Sequence, residues 1–175
     1  MYKAKRAAIG IYEIEQSSGA RVVRIEMPKK VWATDNAPLN NIVGALGMND
    51  CPIFEFPDAR HEVRRGLLTN NMLVNRYNIW IDQGDTRIVE AYPESNVKPV
   101  RITYRGEEFR LVRASWFKYA FTLERNGQPL AQFEDTTPFL TFTAARSFNI
   151  KNRTEIDDML VGFAFFLTAL IYFKG

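Results

Sequence analysis

The chain has 175 residues and a mass of 20.2 kDa, 46% hydrophobic and 25% charged, enough to bury about two-thirds of its unfolded surface in one domain and to exclude disorder as its overall state. A net charge of +3, with a pI near 9.0, admits attraction to phosphates or anionic lipid but falls short of a nucleic-acid footprint, so no nucleic-acid partner is expected. The single cysteine, Cys51, excludes an intrachain disulfide, a paired-cysteine zinc site and a Cys-x-x-Cys motif, and is natural in a reducing compartment.

Met1 to Arg6 is basic, but it leads into the alternating stretch from Ile9 to Glu15 and not into an apolar run with a cleavage site, so it is not read as a secretory signal. Ala8 to Glu15 and Arg21 to Met27 alternate apolar and polar residues around Ser17-Ser18-Gly19, the pattern of a hairpin. Asp35 to Gly47 reads as a short helix, with Asp35 or Asn36 as cap, Pro38 in the first turn and Gly47 at its end.

Three further hairpins follow: Met72 to Asp82 with Arg87 to Tyr92, Arg101 to Tyr104 with Phe109 to Arg113, and Trp116 to Glu124 with Pro129 to Phe133. The segments Gln83 to Thr86, Arg105 to Glu108 and Arg125 to Gln128 lie between them; the last is the surest, because Asn126-Gly127 accepts the positive φ values of a two-residue type I′ turn. Phe139 to Thr143 adds a strand. An aromatic fraction of 13% fits a pleated, half-buried surface, and regular short strands point to a sandwich or barrel. With no linker, repeat or low-complexity run, residues 1–175 are read as one domain.

The last element is a helix, expected at about 155–173. Thr154 is placed to cap it with Asp157 three residues on, Glu155, Asp157 and Asp158 complement its positive end, and Lys174 its negative end. From Met159 to Phe173 every face is apolar, so the helix must be surrounded by protein or lipid. Its length of about 22 Å is short of the roughly 30 Å of a hydrocarbon core, which favours burial in protein over a membrane anchor.

The run from Phe148-Asn149-Ile150 through Asp157-Asp158 to Met159-Leu160-Val161-Gly162-Phe163-Ala164-Phe165-Phe166-Leu167 and on to Phe173 resembles the end of the tubby C-terminal-like superfamily, which includes phospholipid scramblases and LURP-one-related proteins. The hairpin with Asn126-Gly127 and Leu130-Ala131-Gln132-Phe133 is similar to one these proteins carry before the helix, so the resemblance covers about residues 107–175. It implies a mainly β fold, an antiparallel barrel of many short strands enclosing the apolar helix. It also implies binding of phosphoinositide headgroups through strand lysines and arginines, with no position transferable residue by residue. The acidic, calcium-linked segment of scramblases corresponds to Ala144 to Phe148, which lacks carboxylates, and their cysteine cluster is missing, so neither calcium nor palmitoylation carries over.

No catalytic motif emerges. His61 is the only histidine, no Gly-x-Ser-x-Gly elbow or glycine-rich phosphate loop occurs, and the acidic pairs Asp82 with Asp85, Glu134 with Asp135 and Asp157 with Asp158 fit turns and element ends better than a calcium loop. No metal or cofactor is expected. Basic residues gather at Lys3, Lys5 and Arg6, at Lys29 and Lys30, and at Arg60, Arg64 and Arg65. Lys29, Lys30, Arg64 and Arg65 are the densest pairs and the candidate contacts for anionic lipid, although basic residues also defend strand edges. The expected function is therefore a non-catalytic module that binds anionic phospholipid or a hydrophobic ligand, cytoplasmic and peripheral at the inner membrane face. The alternatives are a protein-interaction domain, a tail-anchored protein, or an enzyme using Asp58, His61 and Glu62.

Overall fold

A computed structural model describes residues 1–8, 10–27, 51–70, 75–92, 99–115, 120–136, 147–152 and 155–173. The expected helix at 35–47, the strand at 139–143, and Lys29 and Lys30 lie outside these residues. The described strands are β1 Tyr2–Ala8, β2 Ile11–Gln16, β3 Arg21–Glu26, β4 Ile53–Glu55, β5 Arg60–Asn70, β6 Asn75–Gln83, β7 Thr86–Tyr92, β8 Val100–Tyr104, β9 Glu107–Ser115, β10 Ala120–Arg125, β11 Gln128–Asp135 and β12 Ser147–Asn152, and the helix is α1, Asp158–Phe173. Each strand pairs antiparallel with its neighbours in the chain, and β12 returns to β1 through Tyr2 opposite Ile150 and Ala4 opposite Phe148. The result is a closed, twelve-stranded up-and-down barrel. Closure leaves no edge open among the described strands.

Period-two patterning decides which side chains face inward. Tyr12 and Ile14, Ile79 and Ile81, Ile102 and Tyr104, Leu123 with Phe121, and Phe148 and Ile150 are all buried, while the residues between them are partly or fully exposed. Turn chemistry fixes the register. Asn126 and Gly127 both have positive φ, 52° and 76°, as a type I′ turn requires, so Arg125 and Gln128 pair directly. Arg105-Gly106 adopts the same form, with φ of 47° and 82°, and Gly84-Asp85 turns with positive φ at Gly84 alone. The two-residue turn expected at Asn126-Gly127 is present, while the turns read as Gln83 to Thr86 and Arg105 to Glu108 are two-residue turns as well, their strands extending to meet them.

Because consecutive strands alternate in direction, the tight turns at 17–20, 57–59, 84–85, 105–106 and 126–127 all lie at one end of the barrel, where α1 begins. From Met159 to Leu170 every helical residue is buried, more than three turns and hence the full circumference. Phe165 meets Tyr12 and Phe148 edge-on at 5.4 and 5.2 Å, and Phe54 meets Phe163 and Phe166 at 6.4 and 5.5 Å. The barrel thus encloses the apolar helix, and the surface that a lipid anchor would expose is covered by strands. Among the described residues, no helix is long and apolar enough to cross a membrane.

The helix starts later than the sequence suggests. Asp157 is its cap: Oδ1 accepts the Met159 N–H at 2.9 Å, and its carbonyl accepts the Val161 N–H at 3.0 Å. Ile156, buried just before the cap, and Val161 occupy the two positions of a hydrophobic staple, which sets the entry of the chain into the barrel. Thr154, the expected cap, lies outside the described residues.

Candidate functional site

Of the candidate lipid contacts, Arg64 and Arg65 are described, and strand alternation separates them. Arg64 lies exposed on the outer wall opposite Trp80, whereas Arg65 is half-buried and in register with Ile79 of the inner wall. They do not form one patch. The Arg64 guanidinium lies 3.5 Å from the Asp82 carboxylate, which also accepts the Trp80 indole N–H at 2.9 Å and stands 3.7 Å from Arg87. Asp58, His61 and Glu62 are likewise divided. His61 is in register with inward-facing Phe54 and stacks edge-on against Phe56 at 5.9 Å, while Glu62 pairs with Ile53 on the other face. Asp58 and His61 line a common cavity of about 540 Å³ at the helix-entry end.

That end is held by a polar cluster. The Arg105 guanidinium, carried on its strained turn, stands 3.4 Å from Asp157, and the Tyr2 hydroxyl donates to Asp158 Oδ1 at 2.9 Å. Burial, and then the hydrogen bond to Asp158, push the Tyr2 phenol up from 10.0 to about 12. Tyr104 moves in the same direction, through burial and the neighbouring Asp157 carboxylate. A phenol whose folded-state pKa exceeds its unfolded value stabilises the fold below the unfolded value, and that contribution is lost as pH rises through the folded one. Thermal stability should therefore fall as pH rises from 10 toward 12, and Tyr2→Phe should make the decline shallower while costing about 1 kcal/mol near neutrality. An equally steep decline in that variant, measured by circular dichroism melts across this range, would contradict the assignment.

A different pair of arginines makes the better anion site. Arg101 on β8 and Arg110 on β9 lie directly opposite each other on the outer wall, both exposed, an arrangement of like charges that destabilises a strand pair. They line a groove of about 370 Å³ with Tyr92, Thr103, Glu108 and the Asn126-Gly127 tip. The Arg101 guanidinium stands 5.9 Å from the centre of the Tyr92 ring. Arg21, Arg24, Arg64, Arg87, Arg105 and Arg125 each hold an ion pair, whereas Arg110 forms none with any described residue. Glu124, in register on its other side, does not take it up.

Sequence reasoning missed this pair because it placed a four-residue turn at Arg105 to Glu108. Pairing the strands across that turn sets Arg101 opposite Val112, and since a two-residue slip keeps every side chain on its own face, the hydrophobic pattern raises no objection. The signal was Gly106, which accepts positive φ and marks the shorter turn. Among the described residues, no three of His, Cys, Asp and Glu gather as metal ligands. No family model, curated protein or solved structure matches the chain.

Proposed function

We propose that this chain is a non-catalytic binding module that recognises the headgroup of an anionic phospholipid in the groove between β8 and β9. The observation that carries this reading is the register-paired Arg101 and Arg110, exposed on a rigid wall, with Arg110 unpaired among the described residues. Guanidinium forks suit phosphate oxygens, and Arg110 is exposed with no ion pair among the described residues. The closed barrel around an apolar helix is also the architecture that the tubby-like resemblance implies, and this supports membership of that superfamily. In this reading the protein works in the cytoplasm, peripheral at the inner face of the membrane, with lipid as its partner.

Vesicle cosedimentation tests it. Wild type should bind phosphatidylcholine vesicles doped with phosphatidylserine or a phosphoinositide, fail to bind pure phosphatidylcholine, and release as salt rises, since exposed charges are screened over about 8 Å at physiological ionic strength. With each basic side chain contributing about 1 kcal/mol near an anionic surface, the Arg101→Gln/Arg110→Gln double variant should bind roughly 30-fold more weakly. Charge reversal at Lys29 and Lys30, and at Arg64, provides the comparison. No binding by wild type, or binding indifferent to salt and to the loss of Arg101 and Arg110, refutes the groove as a lipid site and leaves a protein-interaction role for the barrel surface.

A further inference from the structure

The cavity of about 540 Å³ at the helix-entry end shares no residue with the β8–β9 groove, and its floor is apolar. Val22 and Met159 are buried there, whereas Phe56 and Ile88 pack on the core yet stay half-exposed, so both keep apolar surface for a ligand to cover. The Phe56 ring is fixed from two sides, tilted against Phe54 at 6.5 Å and edge-on to His61 at 5.9 Å. Its backbone N–H closes the β4–β5 turn on the Ala59 carbonyl at 2.7 Å, so this wall is in place before anything binds.

Arg21, Asp58, Arg105, Asp157 and Asp158 line the same cavity together with His61, and all of these charges but one are already answered. Arg21 stands 3.5 Å from Glu13, Arg105 stands 3.4 Å from Asp157, and Asp158 accepts the Tyr2 hydroxyl. Asp157 and Asp158 also face the positive end of α1, where Asp157 takes the Met159 N–H. Asp58, exposed on the β4–β5 turn, has neither an ion pair nor a hydrogen bond among the described residues. Arg60, two residues on, turns to the outer wall in register with Glu55 and leaves Asp58 unpaired. We infer that this mouth of the barrel binds a small organic cation, an arylalkylammonium whose apolar body lies on Phe56, Ile88 and Met159 and whose nitrogen meets Asp58. The aromatic wall and the carboxylate favour the same positive charge. An anion of the same shape finds both arginines engaged and the Asp58 charge against it.

His61 is the chain's only histidine, so its ring-proton resonances report on this cavity without ambiguity. The probe is tryptamine, and its alcohol and carboxylate counterparts, tryptophol and indolepropionate, are controls of the same shape. Tryptamine should shift the His61 resonances saturably with a dissociation constant of about 1 mM, the range of a ligand of about a dozen heavy atoms. Tryptophol should bind about fivefold more weakly, the upper range for an exposed ion pair, and indolepropionate more weakly again. Asp58→Asn, at an exposed turn position and with its fold checked by a melting curve, should make tryptamine and tryptophol bind alike. Phe56→Leu, which keeps an apolar side chain and removes the ring, should weaken all three. No saturable shift by tryptamine, equal binding of the three probes by wild type, or a preference for the amine that survives Asp58→Asn overturns the inference. Each of these outcomes leaves the lipid reading standing, because the variants do not touch the β8–β9 groove and that groove is tested with vesicles.

Discussion

Phe165→Asp should yield no soluble, cooperatively folded protein. Phe165 sits at the middle of α1 with no exposed surface, its ring edge-on to Tyr12 of β2 and Phe148 of β12. Truncating such a ring to alanine costs about 3–5 kcal/mol through lost packing and the cavity left behind. Aspartate adds the penalty of burying a carboxylate among aromatic rings, several kcal/mol more. Together these approach or exceed the 5–15 kcal/mol that hold a domain folded. Phe165→Ala should remain folded with a lowered midpoint in urea, and Leu167→Asp should behave like Phe165→Asp. Deleting the chain from residue 154 should give aggregated protein, because the emptied barrel would expose its whole inner wall. A monomeric Phe165→Asp variant with a sharp unfolding transition would show that the helix does not organise the core.

The helix and the barrel were readable from the sequence for one reason: burial leaves a periodic mark. Ile102 and Tyr104, or Leu123 with Phe121, alternate with exposed residues, and the run from Met159 to Leu170 has no polar stripe because no part of it meets water. Elements whose outer faces carry charge were harder to see. In β1 the small Ala4 is the inward partner of Lys3 and Lys5, and in β5 Arg65 occupies an inward register position, so neither strand displays a clean apolar alternation. Their register pairs, Tyr2 with Ile150 and Val63 with Ile81, show them to be wall strands.

The candidate site was less visible for a related reason. Adjacent basic residues in a sequence suggest a patch, but adjacent residues in a strand point to opposite faces, which is why Arg64 and Arg65 part company. A patch on a sheet is built from residues distant in sequence and close across strands. Arg101 and Arg110 satisfy that condition, and finding them depends on counting outward from the correct turn. Asp157 makes the same point at the barrel end, where the cap position was set by the burial of Ile156 and not by the first hydroxyl residue in the sequence.

Gly162→Leu should be clearly destabilising, and Gly162→Ala should be nearly silent. Glycine within a helix costs about 1 kcal/mol relative to alanine, so its presence in the second turn of α1 calls for a reason. The reason is contact with the wall: a Cβ at this position would lie 3.3 Å from Val23 Cγ1 on β3 and 3.6 Å from Phe54 Cε2 on β4. Alanine asks Val23 to yield by a few tenths of an ångström, a strain that the gain in helix propensity roughly offsets. Leucine drives three more carbons toward Val23 and Phe54, which a Cβ alone already touches, and overpacking of this kind costs about 1–3 kcal/mol or more. A compensating change should then recover what the leucine loses. Val23→Ala alone opens a cavity and destabilises, but in the Gly162→Leu background it makes room, so the double variant should be more stable than the sum of the two single losses by at least about 1 kcal/mol. Urea denaturation of the four proteins in the cycle measures that coupling directly. Strict additivity, or a Gly162→Leu variant as stable as wild type, would mean that the helix is not pressed against β3 at this point.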